Sequence, residues 1–182
     1  LILKGLEKES ALYMTAFLIY GITLIWTYTT STVYHSLFKI GSVKIKNAFH
    51  LLDHTAIYLF IAGTYTPVAL FALPSGWNVF ILTSIWVLAV LGVVFKIFSI
   101  GKWLKLSTVL YLLMGWMIII AVKPLIETAP APMLWWVLAG GISYSIGTIF
   151  FMMNRLKYSH ALWHLFVLGG SICHYVAIYV YL

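Results

Sequence analysis

Two histidines near the C-terminal end of the chain, His160 and His164, are four residues apart in the stretch SHALWHLF. On an α-helix this spacing places both imidazoles on one face, where two ring nitrogens can point at the same metal ion. A third histidine from a neighbouring helix would complete three protein ligands and leave one position on the ion open. Water at an open position on Zn²⁺ has a pKa of about 7, so the pattern is typical of hydrolytic zinc sites.

The third histidine can come from either of two earlier stretches. His35 follows Ser31 by four residues in STVYHSLF, so these two side chains also share a helix face. His50 and His54 flank Asp53 in the next apolar stretch, and either could replace His35 as the third ligand. The residues alone leave this choice open.

Asp53 is the only acidic residue within a predicted membrane segment. Its carboxylate could hydrogen-bond a water on the metal and accept a proton from it, and Ser31 could donate a hydrogen bond to Asp53 or to the water. Structural interpretations exist: Asp53 could interact with a helix dipole, Ser31 could pack between helices, and His160 and His164 could do the same. Four ionisable groups at one depth of a bilayer are costly without a common ligand, which favours a metal site.

Composition predicts that these residues belong to a membrane protein. Of 182 residues, 63% are hydrophobic and 8% are charged, and the mean hydropathy is +1.03. A spanning helix needs about 20 apolar residues. Clusters of Gly, Pro, Ser, Asn or charge separate six such segments, at 11–37, 48–73, 77–98, 104–122, 133–152 and 159–181. Because the connections are short, we expect one all-α transmembrane helical bundle over residues 1–182.

Basic residues predict the orientation of this bundle. One side carries eight of them, Lys39, Lys44, Lys46, Lys96, Lys102, Lys105, Arg155 and Lys157, whereas the other carries three, Lys4, Lys8 and Lys123. The side with more positive charge is expected in the cytoplasm, with the C-terminus outside and the metal site roughly one or two turns beneath the inner face. Basic residues are scattered singly despite a net charge of +7, which argues against nucleic-acid binding.

Other features narrow the function classes. The single cysteine, Cys173, excludes an intrachain disulfide and a cysteine-based metal site. His174 lies about 15 Å deeper than His164, so we expect a hydrogen-bonded core histidine there, with a polar contact in a cavity as the alternative. A channel is disfavoured because polar groups gather at one depth, and a retinal protein because segment 159–181 has no mid-helix lysine.

Three stretches together resemble the haemolysin III family: STVYHSLF, LLDHTAIYLFIAGTYTP and HALWHLFVLGGSICHY. This family is the bacterial branch of the superfamily that contains the progestin and adiponectin receptors, with alkaline ceramidases as more distant relatives. The resemblance implies seven helices, a cytoplasmic N-terminus and zinc near the inner face. The family's first helix, with its Asn-x-x-Ser/Thr-His element, is absent here, and the chain begins at Leu1. We therefore expect an N-terminally truncated chain that carries the second to seventh helices.

Carried over by position, the resemblance implies zinc ligands His35, His160 and His164, with Asp53 contacting the bound water and Ser31 supporting them. It favours His35 over His50 and His54. The expected function is an integral-membrane zinc hydrolase that acts on a lipid amide or ester in a bacterial plasma membrane. The alternative is a receptor-like sensor in which zinc only ties helices together. Neither the oligomeric state nor the particular substrate follows from the sequence.

Overall fold

The structure, a computed structural model, describes residues 1–7, 9–37, 42–99, 102–153 and 156–182. Within these ranges the chain is mainly helical and contains no β-strand. The α-helices are α1 (Ile2–Glu7), α2 (Ala11–Ser36), α3 (Val43–Ala72), α4 (Trp77–Phe98), α5 (Leu104–Gly115), α6 (Val122–Thr128), α7 (Ala131–Met152) and α8 (Ser159–Tyr181). A 3₁₀ helix, Trp116–Ala121, connects α5 to α6. The predicted all-α class is confirmed.

Within the described residues, six helical stretches are long and apolar enough to cross a membrane. Five are single helices, and the other runs from α5 through the 3₁₀ helix to the end of α6. The prediction of a polytopic bundle is confirmed, and the chain is an integral membrane protein. The fourth stretch continues to Thr128 rather than ending near residue 122. Pro124 fits because it lies in the first turn of α6, where a missing N–H is tolerated.

The side chain of Tyr65 explains the change of helix type within this fourth stretch. Its hydroxyl donates to the carbonyl of Gly115 at 2.7 Å and accepts from the N–H of Ile118 at 2.9 Å. A side chain inserted into the backbone ladder is a known cause of local distortion in long helices. The 3₁₀ turn therefore begins where α3 contacts this helix.

Helix α3 occupies the centre of the bundle and packs against α2 and α4. Small residues allow these helices to approach closely: Gly63 of α3 lies against Thr23 of α2, and Gly92 of α4 lies against Tyr58 of α3. The Thr27 hydroxyl also reaches the carbonyl of Ala56 across this contact. Close approach at small residues is the usual way in which membrane helices gain packing contacts.

Helices α7 and α8 form a second closely packed pair. A Cβ atom on Gly147 would lie 2.9 Å from the Cβ of Phe166 and 3.0 Å from the ring of Trp163. The Ser143 hydroxyl donates to the carbonyl of Phe166. Gly170 similarly makes room for the ring of Tyr144. These contacts fix the side of α8 that faces the rest of the bundle.

The structure changes the interpretation of one basic residue used for orientation. Lys96 lies in the last turn of α4, and its side chain is 2% exposed and donates to the Ser107 hydroxyl of α5. Three other basic residues of that argument lie outside the described residues: Lys8, Lys39 and Arg155. The orientation stays a prediction.

Candidate metal centre and its cavity

The imidazoles of His35, His160 and His164 meet at one end of the bundle. Their Nε2 atoms lie 3.2 Å apart for His35 and His160, 3.3 Å for His35 and His164, and 3.0 Å for His160 and His164. Among the described residues, this is the group whose donor atoms converge closely enough to hold a metal ion. Helices α2 and α8, far apart in sequence, thus contribute to one cluster.

The donor set fits a tetrahedral cation. With Zn–N bonds of about 2.0–2.1 Å, tetrahedral geometry requires nitrogen atoms about 3.3–3.4 Å apart, close to the separations of 3.0–3.3 Å found here. Three neutral imidazoles that point Nε2 at a common centre cannot satisfy one another, because each nitrogen is either a single donor or a single acceptor. A shared cation would satisfy all three lone pairs.

Local structure explains how α8 presents His160 and His164. Tyr158, immediately before α8, has φ 72°, so the backbone turns sharply and His160 becomes the second residue of the helix. The ring of Phe151 from α7 lies against His160, with ring centroids 5.9 Å apart. His164 follows one turn later on the same face. The beginning of α8 is thus aimed at the last turn of α2, which contains His35.

Asp53 lies beside the histidine cluster and is 9% exposed. Its carboxylate interacts electrostatically with the Ser31 hydroxyl and with the imidazole of His35. His54 Nδ1 lies 3.7 Å from Asp53 Oδ2. Ser31 and Asp53 also line one cavity together with His160 and His164. The structure therefore brings all five residues singled out from the sequence to one end of the bundle.

The other histidines do not join the cluster of converging donors. His50 and His54 lie against each other, with ring centroids 4.3 Å apart, and the backbone carbonyl of His54 accepts a hydrogen bond from Tyr111. His174 Nε2 lies 3.1 Å from the carbonyl of Val137, which accepts a hydrogen bond from it. The hydrogen bond expected for His174 is present, and this side chain also lines the interior cavities.

Two adjoining cavities extend from the cluster into the bundle. The cavity beside the histidines has a volume of about 150 Å³, and the next one, deeper in the bundle, about 450 Å³. Their lining is mainly apolar, and they share Thr64, Tyr65, Gly115, Trp116, Gly141 and His174. A long apolar molecule can thus extend from the histidine end toward the opposite side of the bundle.

Comparison with known proteins assigns the family. Residues 1–175 match the model of the family described as Haemolysin-III related. The chain belongs to this haemolysin III family. It is 45% identical to Hemolysin-3 of Bacillus cereus over 100% of the chain and 81% of that protein, and 41% identical to a Hemolysin-3 homolog of Bacillus subtilis over 100% of the chain and 84% of that protein. It is also 32% identical to the human Monocyte to macrophage differentiation factor over 90% of the chain and 69% of that protein. The resemblance noted from the motifs is confirmed for this haemolysin III protein.

Sequence reasoning did not single out a polar contact deeper in the same cavity. Tyr28 of α2 donates to the Ser171 hydroxyl of α8, and Tyr144 of α7 hydrogen-bonds the same hydroxyl. A signal was present: Tyr28 precedes His35 by seven residues, and Ser171 follows His164 by seven. Residues seven apart share a helix face, so the ligand positions could have indicated both.

Proposed function

We propose that this haemolysin III protein is a zinc-dependent membrane hydrolase that cleaves a lipid amide or ester. The convergence of three Nε2 atoms within 3.0–3.3 Å, beside a carboxylate and at the mouth of an apolar cavity, carries the proposal. The ligands would be His35, His160 and His164. Zinc bound there would act as a Lewis acid and lower the pKa of a water at its open position.

Asp53 would manage the proton in this reaction. One oxygen of its carboxylate would accept the proton that the attacking water loses. The same oxygen would then return this proton to the departing amine or alcohol. The net reaction is hydrolysis. The bond from the carbonyl carbon to the amide nitrogen or to the ester oxygen breaks, the carbon gains the OH of water, and the leaving group gains its proton. The Ser31 hydroxyl donates to the carboxylate and fixes its orientation. This role fits the electrostatic contact between Ser31 and Asp53.

The cavities would hold the acyl chain. Their apolar lining replaces the lipid environment around the chain, while the polar histidine end receives the carbonyl and the head group. His35 and His160 are exposed, so water can reach this end of the cavity. A membrane lipid could therefore react without leaving the bilayer entirely.

We also propose a bacterial plasma membrane as the location, with the C-terminus outside and the zinc site near the cytoplasmic face. Among the described residues, the end of the bundle with the histidines carries Lys44, Lys46, Lys102, Lys105 and Lys157, whereas Lys4 and Lys123 lie at the opposite end. This asymmetry supports the orientation. Alkaline phosphatase fused after Leu182 should be active, and an inactive but stable fusion would reverse the orientation.

The catalytic proposal is tested with purified protein and a long-chain N-acyl amide that carries a fluorescent acyl chain. Asp53→Asn should keep the metal, as measured by elemental analysis, yet lower turnover by at least about a hundredfold, because general acid–base catalysis is lost. The matched control is Glu127→Gln, which removes a carboxylate from α6. Equal turnover by Asp53→Asn and the wild type would refute the role of Asp53.

A second candidate is a receptor-like sensor in which zinc has a structural role. It is favoured by one observation: within the described residues, the backbones of α2 and α8 approach each other far less than those of α7 and α8. A cation between His35 and His164 would hold α2 and α8 together. This candidate predicts bound metal but no release of acyl product from esters or amides by the wild type.

A further inference from the structure

A second polar cluster lies inside the bundle, away from the histidines. The hydroxyl of Tyr28 donates to Ser171 Oγ at 2.9 Å, and the hydroxyl of Tyr144 lies 2.9 Å from the same oxygen. Ser171 Oγ in turn donates to the carbonyl of Val167 at 2.9 Å. One serine therefore joins α2, α7 and α8 at a single point.

Helix spacing gives the position of this cluster relative to the histidines. Tyr28 and His35 are seven residues apart on α2, and Ser171 and His164 are seven residues apart on α8. Seven residues of helix correspond to a rise of about 10 Å. Tyr28 and Tyr144 also line the cavity that contains Asp53, His160 and His164. The cavity thus has polar groups at its histidine end and again about 10 Å deeper.

The hydrogen bonds in the cluster leave acceptors free and use every donor. Ser171 gives its one proton to Val167, so the contact with Tyr144 requires the Tyr144 phenol as donor. Tyr28 likewise gives its proton to Ser171. Each phenol oxygen keeps acceptor capacity, because a hydroxyl has one proton and two lone pairs. A ligand group at this depth would therefore be recognised if it donates a hydrogen bond.

We propose that the phenol oxygens of Tyr28 and Tyr144 form a second lipid-binding site, which accepts a hydrogen bond from a hydroxyl group in the middle of an acyl chain. The inference rests on the proposed function in one respect, since it takes the carbonyl end of the lipid to lie at the histidines. It narrows the substrate class to lipids with a mid-chain hydroxyl. The spacing of about 10 Å corresponds to roughly eight to ten carbons of extended chain.

The apolar lining around the two phenols strengthens the preference for a lipid with a mid-chain hydroxyl. The rest of the lining is mainly apolar, so a chain hydroxyl placed against its apolar side chains would lose its hydrogen bonds to water or head groups without replacement. A ketone at the same carbon offers only acceptors and gains nothing from phenols whose protons are already used. A site that pairs with a hydroxyl discriminates against molecules that lack one.

The test is equilibrium binding of octadecanoic acids, which resemble reaction products and cannot be hydrolysed. Purified wild-type protein in detergent is titrated with the unsubstituted acid and with acids that carry a hydroxyl on the tenth carbon, a ketone on the tenth carbon or a hydroxyl on the second carbon. Displacement of a fluorescent fatty acid reports affinity. The acid with the hydroxyl on the tenth carbon should bind roughly 3- to 10-fold more tightly than the other three.

The variants Tyr28→Phe and Tyr144→Phe separate recognition from structure. Each should weaken binding of the acid with the hydroxyl on the tenth carbon more than binding of the unsubstituted acid, and so remove most of the preference. Tyr179→Phe is the matched control, because it removes a phenol hydroxyl from a 42% exposed residue of α8. An equal loss of affinity for all four acids would mean that the phenols only brace the helices.

The outcomes distinguish this inference from the hydrolase proposal. If wild-type protein binds all four acids equally, the second site is refuted, whether or not the protein hydrolyses lipids. If it prefers the hydroxyl on the tenth carbon but releases no acyl product from any ester or amide, the second site stands and the hydrolase fails. The preference must also disappear in at least one of the two Phe variants.

Discussion

The two parts of the bundle that supply the histidines are packed differently. Helix α3 is enclosed by α2 and α4, and 67% of its most apolar stretch is buried. Helices α7 and α8 pack mainly against each other, and the buried shares of their most apolar stretches are 17% and 22%. The first part, with α2, α3 and α4, is thus a layered core, whereas the second is a helical pair with one face on that core.

Because the two parts pack separately, the metal site forms only where they come together. His35, Ser31 and Asp53 belong to the layered core, and His160 and His164 belong to the pair α7–α8. Polar side chains join the two parts where Tyr28 contacts Ser171, and the 3₁₀ helix joins the pair α7–α8 where Trp116 contacts Ser145. A bound cation would add a strong link between α2 and α8, whose backbones have few close contacts. Metal binding and assembly are therefore expected to be coupled.

The largest expected effect is loss of metal when either part loses a ligand. His35→Ala in the core and His160→Ala in the helical pair should each weaken metal binding by at least about a hundredfold, because two imidazoles remain of three. Elemental analysis of purified protein measures this. His174→Ala is the matched control, since its imidazole bonds the carbonyl of Val137 instead. Full metal content in His35→Ala would mean that α8 binds the ion without the core.

Part of this site could be predicted from the sequence because its signals are local. The spacing of His160 and His164 places both on one helix face, and Asp53 stands out as an acid in an apolar stretch. Local sequence patterns do not decide whether His35, His50 or His54 joins His160 and His164. It depends on which face of α2 and α3 is turned toward α8, which packing sets and which only the family resemblance indicated in the sequence.

Other features could not be predicted because they depend on contacts between distant neutral residues. Tyr28 and Ser171 are separated by 143 positions, and neither carries a charge that would mark it in a membrane segment. The 3₁₀ turn depends on the hydroxyl of Tyr65, which reaches Gly115 from 50 positions away. The charges and prolines of KPLIETAPAP indicated a loop from residue 123, whereas α6 extends the helix to Thr128.

A second effect, on the stability of the intact protein, is expected when the metal is removed. Chelation should lower stability by about 4 kcal/mol if the ion was present at about 1,000 times its Kd. Because the ion would link the two parts, amide hydrogen exchange should increase most at the start of α8 and the end of α2, and least in α3. Exchange measured by mass spectrometry resolves these segments.

His35→Ala provides the control for chelation, since a chelator should change its exchange little. A uniform increase along all helices of the wild type would contradict the special role of the joint between α2 and α8. In that case the two parts would differ in their packing, but the metal would not stabilise the contact between them in particular.

Within the helical pair, Gly147 should matter more than a glycine in open space. Gly147→Ala would place a Cβ 2.9 Å from Phe166 and 3.0 Å from the ring of Trp163, so the variant should lose about 1–3 kcal/mol by overpacking. Trp163 precedes His164, so metal affinity should fall as well. Thermal unfolding and elemental analysis measure the two effects.

Gly115→Ala is the matched control for Gly147→Ala, because a Cβ added at Gly115 would meet no atom of another helix within 4 Å. It should leave metal affinity unchanged. If the two variants lose the same amount of stability and metal, tight packing of α7 on α8 does not set the position of the ligands.

The smallest expected effect concerns Tyr65, which connects the core to the helix that faces the pair α7–α8. Tyr65→Phe leaves the carbonyl of Gly115 and the N–H of Ile118 without their partner, and the variant should lose about 1–2 kcal/mol. The loss should appear as faster hydrogen exchange at the 3₁₀ turn, while the histidine cluster keeps its metal. Tyr179→Phe controls for removal of a phenol hydroxyl elsewhere. If Tyr65→Phe releases metal, the two parts are coupled through the interior of the bundle and not only where α2 meets α8.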